Sequence, residues 1–382
     1  MRRIRVGLNL LYLRPGVSGG TETYAKGLLD GFGEVASDFD FVVFVSRAAA
    51  TWPFPPGLRA RRVVCSVSAE SRAARHLFEQ GAFPALLAET GIDLVHSLGY
   101  TGPWMSPCPS VVTIHDVNVS AFGAVMKPAD RIARTVFPFL SSLRADLVAT
   151  ISDFSRFQII QHFRVAPERV RTIYHGVPSL SSAASAGIDE SPNERILGLP
   201  PRFLAAFSAE SPHKRTAELV RVFRRLREEG RLQHDLILLG KSPRGLDLSS
   251  VPGVRSLGYV PRSVLAQVLD LTDWLIVPSV YEGFGLPVLE AMSRGTPVMC
   301  SRAAALPEVA GDAAVYFDPW SEEDMKAKIA EAAADMKLRD RLSMAGRIRA
   351  AGFTWARTAG ETLNAYSEVL CARDSARRGR GR

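Results

Sequence analysis

With 382 residues and 47% apolar side chains the chain is long enough for two or three domains with sizeable cores, and no apolar run approaches the roughly 18 to 20 residues of a membrane span. Its formal charge is +8, but residues 373–382 hold five Arg and one Asp and supply half of it. The mildly basic remainder suits an anionic substrate, a weak approach to acidic lipid or a plain solvated surface; without interleaved aromatics it argues against nucleic-acid binding.

From the N-terminus, Met1-Arg2-Arg3-Ile4-Arg5 leads into an apolar run and then Gly16 to Gly20, not into a signal core and cleavage site; a cytoplasmic chain is expected. Strands are predicted at Ile4–Leu11, Phe39–Ser46, Arg62–Cys65, Leu94–His96, Ser110–His115, Leu147–Ile151 and Val170–Tyr174. Between them Thr21–Phe32, Ser71–Glu89, Pro128–Arg144 and Asp153–Phe163 repeat apolar residues at helical spacing. Residues 178–201, rich in Ser, Ala and Pro, break the alternation and read as a linker. Strands then resume at Phe203–Phe207, Asp235–Leu239, Val254–Leu257, Trp274–Pro278, Thr296–Cys300 and Ala314–Phe317. Helical spacing recurs at Thr216–Glu229, Ser263–Leu271, Pro287–Arg294 and Glu322–Ala345, the last long enough for two helices, and again near Trp355–Cys371.

This alternation predicts an α/β protein with two Rossmann-like, doubly wound parallel-sheet domains facing a central crevice. The expected limits are 1–178, a linker over 179–200, a second domain over 201–355, and a helix over 356–372 packing back on the first domain. A basic tail over 373–382 is expected to be disordered. The four cysteines, Cys65, Cys108, Cys300 and Cys371, match no metal or redox spacing.

The most informative segment is Tyr281-Glu282-Gly283-Phe284-Gly285-Leu286-Pro287-Val288-Leu289-Glu290-Ala291-Met292. A buried strand runs in and another runs out, and Pro287 suits the first turn of a helix. Such a loop aims backbone N–H groups and the positive end of a helix dipole at one point, which suits a phosphate. One carboxylate then serves the reacting centre and the other accepts hydrogen bonds from sugar hydroxyls. Two Glu alone would equally fit a solvated loop and a helix surface; the packed glycine and proline context favours function.

Three further motifs point the same way. Arg14-Pro15-Gly16-Val17-Ser18-Gly19-Gly20-Thr21 joins the first strand to the first helix and either cradles a phosphate or makes a tight turn. It is neither a dinucleotide fingerprint nor a Walker loop. His115-Asp116 ends a buried strand, where the imidazole either meets sugar hydroxyls or caps the strand end. Ser211-Pro212-His213-Lys214-Arg215 opens a helix with three basic residues, an unfavourable place unless an anion compensates them.

Together these residues resemble the retaining nucleotide-sugar glycosyltransferases of family 4, often called group 1, with the two-domain GT-B fold. The match extends through Gly295-Thr296-Pro297-Val298, through Leu306-Pro307-Glu308-Val309-Ala310-Gly311-Asp312, and through Ile151-Ser152-Asp153 and His175-Gly176-Val177. The resemblance implies that Glu282 lies by the transferred sugar and Glu290 binds the nucleotide ribose. Gly19 and Gly20 approach the diphosphate, as does Lys214, while Gly283, Phe284, Gly285 and Leu286 line the donor and His115 contacts its sugar. It also implies retention without an enzyme nucleophile, the leaving phosphate taking the acceptor's proton, and no metal or other cofactor. Asp38-Phe39-Asp40 superficially matches a metal-binding pair but opens a strand, and is discounted. The chain departs from the family pattern at Ser208, where Gly is usual, and at His213-Lys214-Arg215, where Arg-Lys-Asn is common. Ala209 and Glu210 stand where some members carry Arg, so phosphate compensation is expected to rest on Lys214 and Arg215.

The function implied is transfer of a hexose, first mannose from GDP-mannose, to a hydroxyl of a saccharide or lipid-linked saccharide in bacterial surface polysaccharide assembly. dTDP-rhamnose or a UDP-sugar is the alternative donor; an epimerase, a phosphorylase or a non-catalytic scaffold is the alternative role. Partners expected are the nucleotide-sugar donor, that acceptor and weakly the inner membrane surface, through Arg72, Arg75, Phe78, Arg131 and Arg134. The acceptor is placed against the loops Tyr100–Pro107 and Val117–Lys127.

Overall fold

A computed structural model describes residues 3–35, 38–117, 128–177, 198–243 and 245–380. The expected linker, save 198–200, and the loop after Val117 up to Lys127 lie outside the described residues. The chain divides into two compact units, Met1–Gly176 with Phe353–Arg382, and Val177–Gly352.

The first unit is built on β1 (Ile4–Leu10), β2 (Phe39–Ser46), β3 (Ala60–Cys65), β4 (Leu94–Ser97), β5 (Ser110–Thr113), β6 (Leu147–Thr150) and β7 (Val170–Thr172). All pair in parallel, in the order β3-β2-β1-β4-β5-β6-β7. A wholly parallel sheet must be covered on both faces, so its strands are nearly continuous apolar runs. Period-2 alternation then assigns the faces. Val6, Leu8 and Leu10 join one core with α1 (Gly20–Glu34), while Val42 and Phe44 join another with Phe83 and Leu87. α2 (Arg72–Gln80), α3 (Ala82–Glu89), α4 (Pro128–Arg144) and α5 (Asp153–Phe163) complete the layers.

The second unit repeats the plan with β8 (Phe203–Ser208), β9 (Asp235–Gly240), β10 (Val254–Gly258), β11 (Trp274–Val277), β12 (Val298–Ser301) and β13 (Ala314–Phe317). Its parallel order is β10-β9-β8-β11-β12-β13. α6 (Thr216–Glu228), α7 (Arg262–Leu271), α8 (Leu286–Arg294), α9 (Leu306–Ala310), α10 (Glu322–Ala334) and α11 (Met336–Ala351) accompany the sheet. The expected α/β class with two parallel sheets is therefore correct.

The last helix, α12 (Trp355–Arg380), returns to the first unit. It lies so close to α1 that a Cβ on Gly27 would stand 2.0 Å from the Trp355 ring, and one on Gly31 2.2 Å from the Trp355 carbonyl oxygen. Two helix-interior glycines, each unfavourable by about 0.5–1 kcal/mol against Ala, are what permit that approach.

Several expectations need correction. Ser71–Glu89 is two helices parted at Gly81; Glu322–Ala345, long enough for two helices, is indeed two, parted at Asp335, whose carboxylate caps the second by accepting from Leu338 N at 2.9 Å. The tail is helical through Arg380: residues 372–378 contain no Gly or Pro, and extending an existing helix needs no new nucleus. Arg75 and Phe78 do not share the exposed face of α2 with Arg72; Phe78 packs against the Val42–Phe44 core, and Leu77 is the exposed apolar residue. Among the described residues no helix is long and apolar enough to cross a membrane.

Candidate active site

In both sheets the winding reverses direction once, between β1 and β4 and between β8 and β11. Ligands of such sheets gather outside the carboxyl ends of strands at that reversal. The loops leaving β1, β4, β8 and β11 are therefore the places to search.

In the first unit the loop after β1 is held by its own polar groups. Arg14 N donates to Ser18 Oγ at 2.8 Å, and Gly16 N donates to the Glu22 carboxylate at 2.9 Å. Gly19 caps α1 with φ 58° and ψ −132°, a conformation essentially reserved for glycine, and among the described residues no side chain caps this end. Among the described residues nothing lies within 4 Å of where a Cβ on Gly19 or Gly20 would stand, which leaves this backbone room for close approach by a ligand.

His115 follows β5 and is 5% exposed. Its Nε2 lies 3.0 Å from the Leu98 carbonyl oxygen, which only accepts, so Nε2 carries the proton and Nδ1 a lone pair. The His115 carbonyl accepts from Ser155 Oγ at 3.0 Å, which ties the residue to the start of α5. Tyr24 meets the ring edge-on at 4.9 Å, and Tyr100 packs at 5.2 Å. Burial pushes the imidazole down to about 4, so at neutral pH it is an uncharged hydrogen-bond acceptor. That form suits a sugar hydroxyl and offers lone-pair density to a developing cation.

In the second unit the loops after β8 and β11 are joined twice. Val280 N donates to the His213 carbonyl at 2.9 Å, and Lys214 Nζ donates to Glu282 Oε1 at 2.6 Å. Lys214 lies in a 3-10 turn over Pro212–Lys214, ahead of the helix it was expected to begin. Arg215 takes a left-handed conformation, φ 48°, to start α6. Its guanidinium lies 3.7 Å from Glu218 and 5.2 Å over the Trp320 ring. Lys214 and Glu282 are thus brought together, whereas Arg215 is engaged by its own helix and Trp320.

Gly285 begins α8 with φ 106°, and again no side chain among the described residues caps the helix. Phe284 is buried, while Gly283 and Leu286 stay partly accessible beside it. Glu290 sits one turn in and is 8% exposed. Burial raises its carboxyl, and Arg262, with Nη2 at 3.3 Å from Oε1, opposes that rise. Among the described residues no group of three His, Cys, Asp and Glu is placed to hold a metal ion. Asp40 lies 3.6 Å from Arg3 at the start of β2.

Residues 201–335 match the family described as Glycosyl transferases group 1, and residues 18–179 match Glycosyltransferase Family 4. The chain is 33% identical over 274 residues to O-antigen chain mannosyltransferase B of Escherichia coli, covering 67% of this chain and 70% of that one. It is 30% identical over 305 residues to the MMP alpha-(1->4)-mannosyltransferase of Mycolicibacterium hassiacum, covering 74% and 68%. The chain belongs to the family 4, group 1 glycosyltransferases. Its fold is that of sucrose-phosphate synthase from Thermosynechococcus elongatus, with TM-score 0.72 at 21% identity over 97% of this chain and 100% of the other. The paired parallel-sheet domains are those of GT-B glycosyltransferases.

Sequence reasoning missed two features of this glycosyltransferase. Arg262 opens α7, where a basic residue is as poorly placed as Lys214 was judged to be, and that signal would have found it. The buried imidazole His96 carried no such mark, and His175 was marked only as part of the His175-Gly176-Val177 match, without its partners. His96 Nε2 lies 2.7 Å from Thr113 Oγ1, which lies 3.1 Å from the Tyr24 hydroxyl, and His175 stacks on Tyr24 at 4.8 Å.

Burial depresses all three histidines, His96 to about 3 and His175 well below its usual value. The unfolded chain, with imidazoles near 6.5, then binds protons that the fold refuses. The stabilisation is complete above about pH 6.5 and is lost as pH falls toward the folded values, on the order of 2 kcal/mol per histidine by pH 5. The urea midpoint of the first unit should fall steeply between pH 7.5 and pH 5; an unchanged midpoint would show that these side chains are not held neutral.

The Lys214–Glu282 pair makes a second prediction. Lys214→Met should lower kcat/KM about 100- to 1,000-fold, the range for removing one charge-stabilising donor. Glu282→Gln should also lower it, and the double variant should lose little more than the worse single one, because each change breaks the same contact and strands its other member. Strictly additive losses in a double-mutant cycle would show that the two act separately.

Proposed function

We propose that this glycosyltransferase moves a hexose, first mannose from GDP-mannose, from a nucleotide diphosphate sugar to a hydroxyl of a saccharide or lipid-linked saccharide. The observation that carries the reading is the Lys214–Glu282 contact beside the uncapped start of α8. A cation held by a carboxylate can neutralise a departing diphosphate, and the carboxylate is left near the carbon the phosphate departs from. Glu290, oriented by Arg262, is suited to accept from ribose hydroxyls. Gly19 and Gly20 give the diphosphate an open backbone, and neutral His115 accepts from the sugar.

In the retaining reaction proposed, the bond from the anomeric carbon to the phosphate oxygen breaks. The acceptor oxygen bonds that carbon on the same face, and its proton passes to the leaving phosphate. No enzyme nucleophile and no metal enter this scheme. Mannose is preferred because the two curated relatives described above are named as mannosyltransferases, one of them for the O-antigen chain. Differential thermal stabilisation by GDP, UDP and dTDP, followed by nucleotide release with and without acceptor, tests the donor. GDP should stabilise most, and GDP-mannose should release nucleotide only with acceptor present. Equal stabilisation by all three would defeat the donor assignment, and acceptor-independent turnover would point to an epimerase.

A cytoplasmic enzyme resting on the inner membrane surface completes the proposal. α2 and α4 meet where the His76 and Phe137 rings stack at 4.0 Å. Leu77, Ile132 and Val136 are exposed on these helices, among the exposed Arg72, Arg131 and Arg134. An apolar strip among arginines suits an anionic bilayer. The protein should co-sediment with vesicles containing phosphatidylglycerol and be released by salt, and Ile132→Glu with Val136→Glu should weaken this. Equal sedimentation of the variant would rule this face out.

A further inference from the structure

The loop that leaves β4 touches His115 on one side and a buried carboxylate on the other. Leu98 supplies the carbonyl that takes the His115 proton, Tyr100 N donates to the Thr113 carbonyl at 3.0 Å, and the Tyr100 ring packs on His115. Tyr100 has φ 69°, a left-handed conformation that a bulky residue keeps only where its surroundings impose it.

Those surroundings come from the end of α2. Glu79, 2% exposed, accepts from Asn9 Nδ2 at 3.1 Å, from Thr101 Oγ1 at 3.0 Å and from His76 Nδ1 at 3.2 Å. Asn9 is itself fixed, since its Oδ1 accepts from Leu11 N and its Nδ2 reaches Ser97 Oγ. Gln80 holds the next stretch, its Nε2 donating to the Gly102 carbonyl at 3.1 Å and its Oε1 accepting from Trp104 N at 2.9 Å. Burying a carboxylate is costly unless it is fully hydrogen-bonded, and an apolar side chain would fill the space at less expense. Directional contacts to the loop are what an apolar residue could not supply.

We propose that Glu79, seconded by Gln80, is a positioning residue of the candidate active site: it fixes the loop after β4, whose Leu98 carbonyl fixes the tautomer and orientation of His115. The inference rests on the reading that His115 meets the donor sugar. Should the loop slacken, Nε2 loses its acceptor, the ring exchanges tautomers, and Nδ1 no longer always presents a lone pair.

The test combines steady-state kinetics with imidazole 15N shifts in the full chain, using Glu79→Ala, Glu79→Gln, Thr101→Val and His115→Ala. Glu79→Ala should lower kcat about 10- to 100-fold, the scale for a small misplacement at a reacting centre, with little change in donor KM. The His115 nitrogens should move from a pure Nε2–H tautomer to averaged shifts. Glu79→Gln keeps an acceptor for Thr101 but turns its amide NH2 toward the Asn9 Nδ2 donor, and should recover part of kcat. Thr101→Val removes the loop's end of the contact alone and should move the same shifts, which serves if Glu79→Ala does not fold. Unchanged His115 shifts in a folded variant of either kind would overturn the proposal, as would a kcat loss that Gln does not recover. Undiminished transfer by His115→Ala would instead overturn the role given to His115, while the shifts still decide whether Glu79 controls its ring.

Discussion

Parallel pairing is the constraint on which the site in each unit depends. When all strands run the same way, all their carboxyl ends meet one edge, and the loops leaving that edge are neighbours however distant in sequence. The single reversal in winding order parts two of those loops. In the first unit they carry Gly19 and Leu98–Thr101, with His115 just past the end of the next strand; in the second they carry Lys214 and Glu282. Sheet register fixes where each loop begins, so short contacts finish the work. Leu98 O to His115 Nε2 and His213 O to Val280 N are contacts of that kind.

The two units use opposite electrostatics. The second holds its candidate residues as charged pairs, Lys214 with Glu282 and Arg262 with Glu290, each partly shielded from water. Such pairs keep a binding surface solvent-compatible until an anion or a hydroxyl competes for one member. The first unit buries neutral imidazoles among aromatic rings, where desolvation holds off the proton. A charged imidazole beside a carbon that gains positive charge would oppose the chemistry proposed here. Burial therefore sets the sign of the group as well as its place.

Apolar runs of four to eight residues between helical stretches were enough to reveal both parallel sheets, because strands covered on both faces cannot hide their composition. Gly285 was legible for a similar reason: the positive φ at the start of α8 favours glycine. Partners were not legible. Nothing in the spacing of Lys214 and Glu282, sixty-eight positions apart, marks a contact. Glu79 looks like any helical Glu until Asn9 and Thr101 are seen to converge on it. The break at Gly81 was lost because apolar spacing continues across it, although a Gly permits a break.

α1 ties the glycine loop to the far end of the chain. Its N-terminus is the open turn at Gly19, its second turn carries Tyr24 against His115, and its later turns are worn down to Gly27 and Gly31 where Trp355 of α12 enters. α12 also places the Tyr366 hydroxyl 2.6 Å from His96 Nδ1, and His96 continues through Thr113 to Tyr24. The position of α1 is thus determined from two directions, by steric fit along its axis and by a buried polar chain across it. A helix held only by apolar contacts could slide by a fraction of a residue rise, about 1.5 Å, without losing much buried area. Directional bonds to Tyr24 remove that freedom, because a shift of half that size would break them. The return of the last helix to the first unit therefore helps set where the open backbone at Gly19 and the ring of His115 stand.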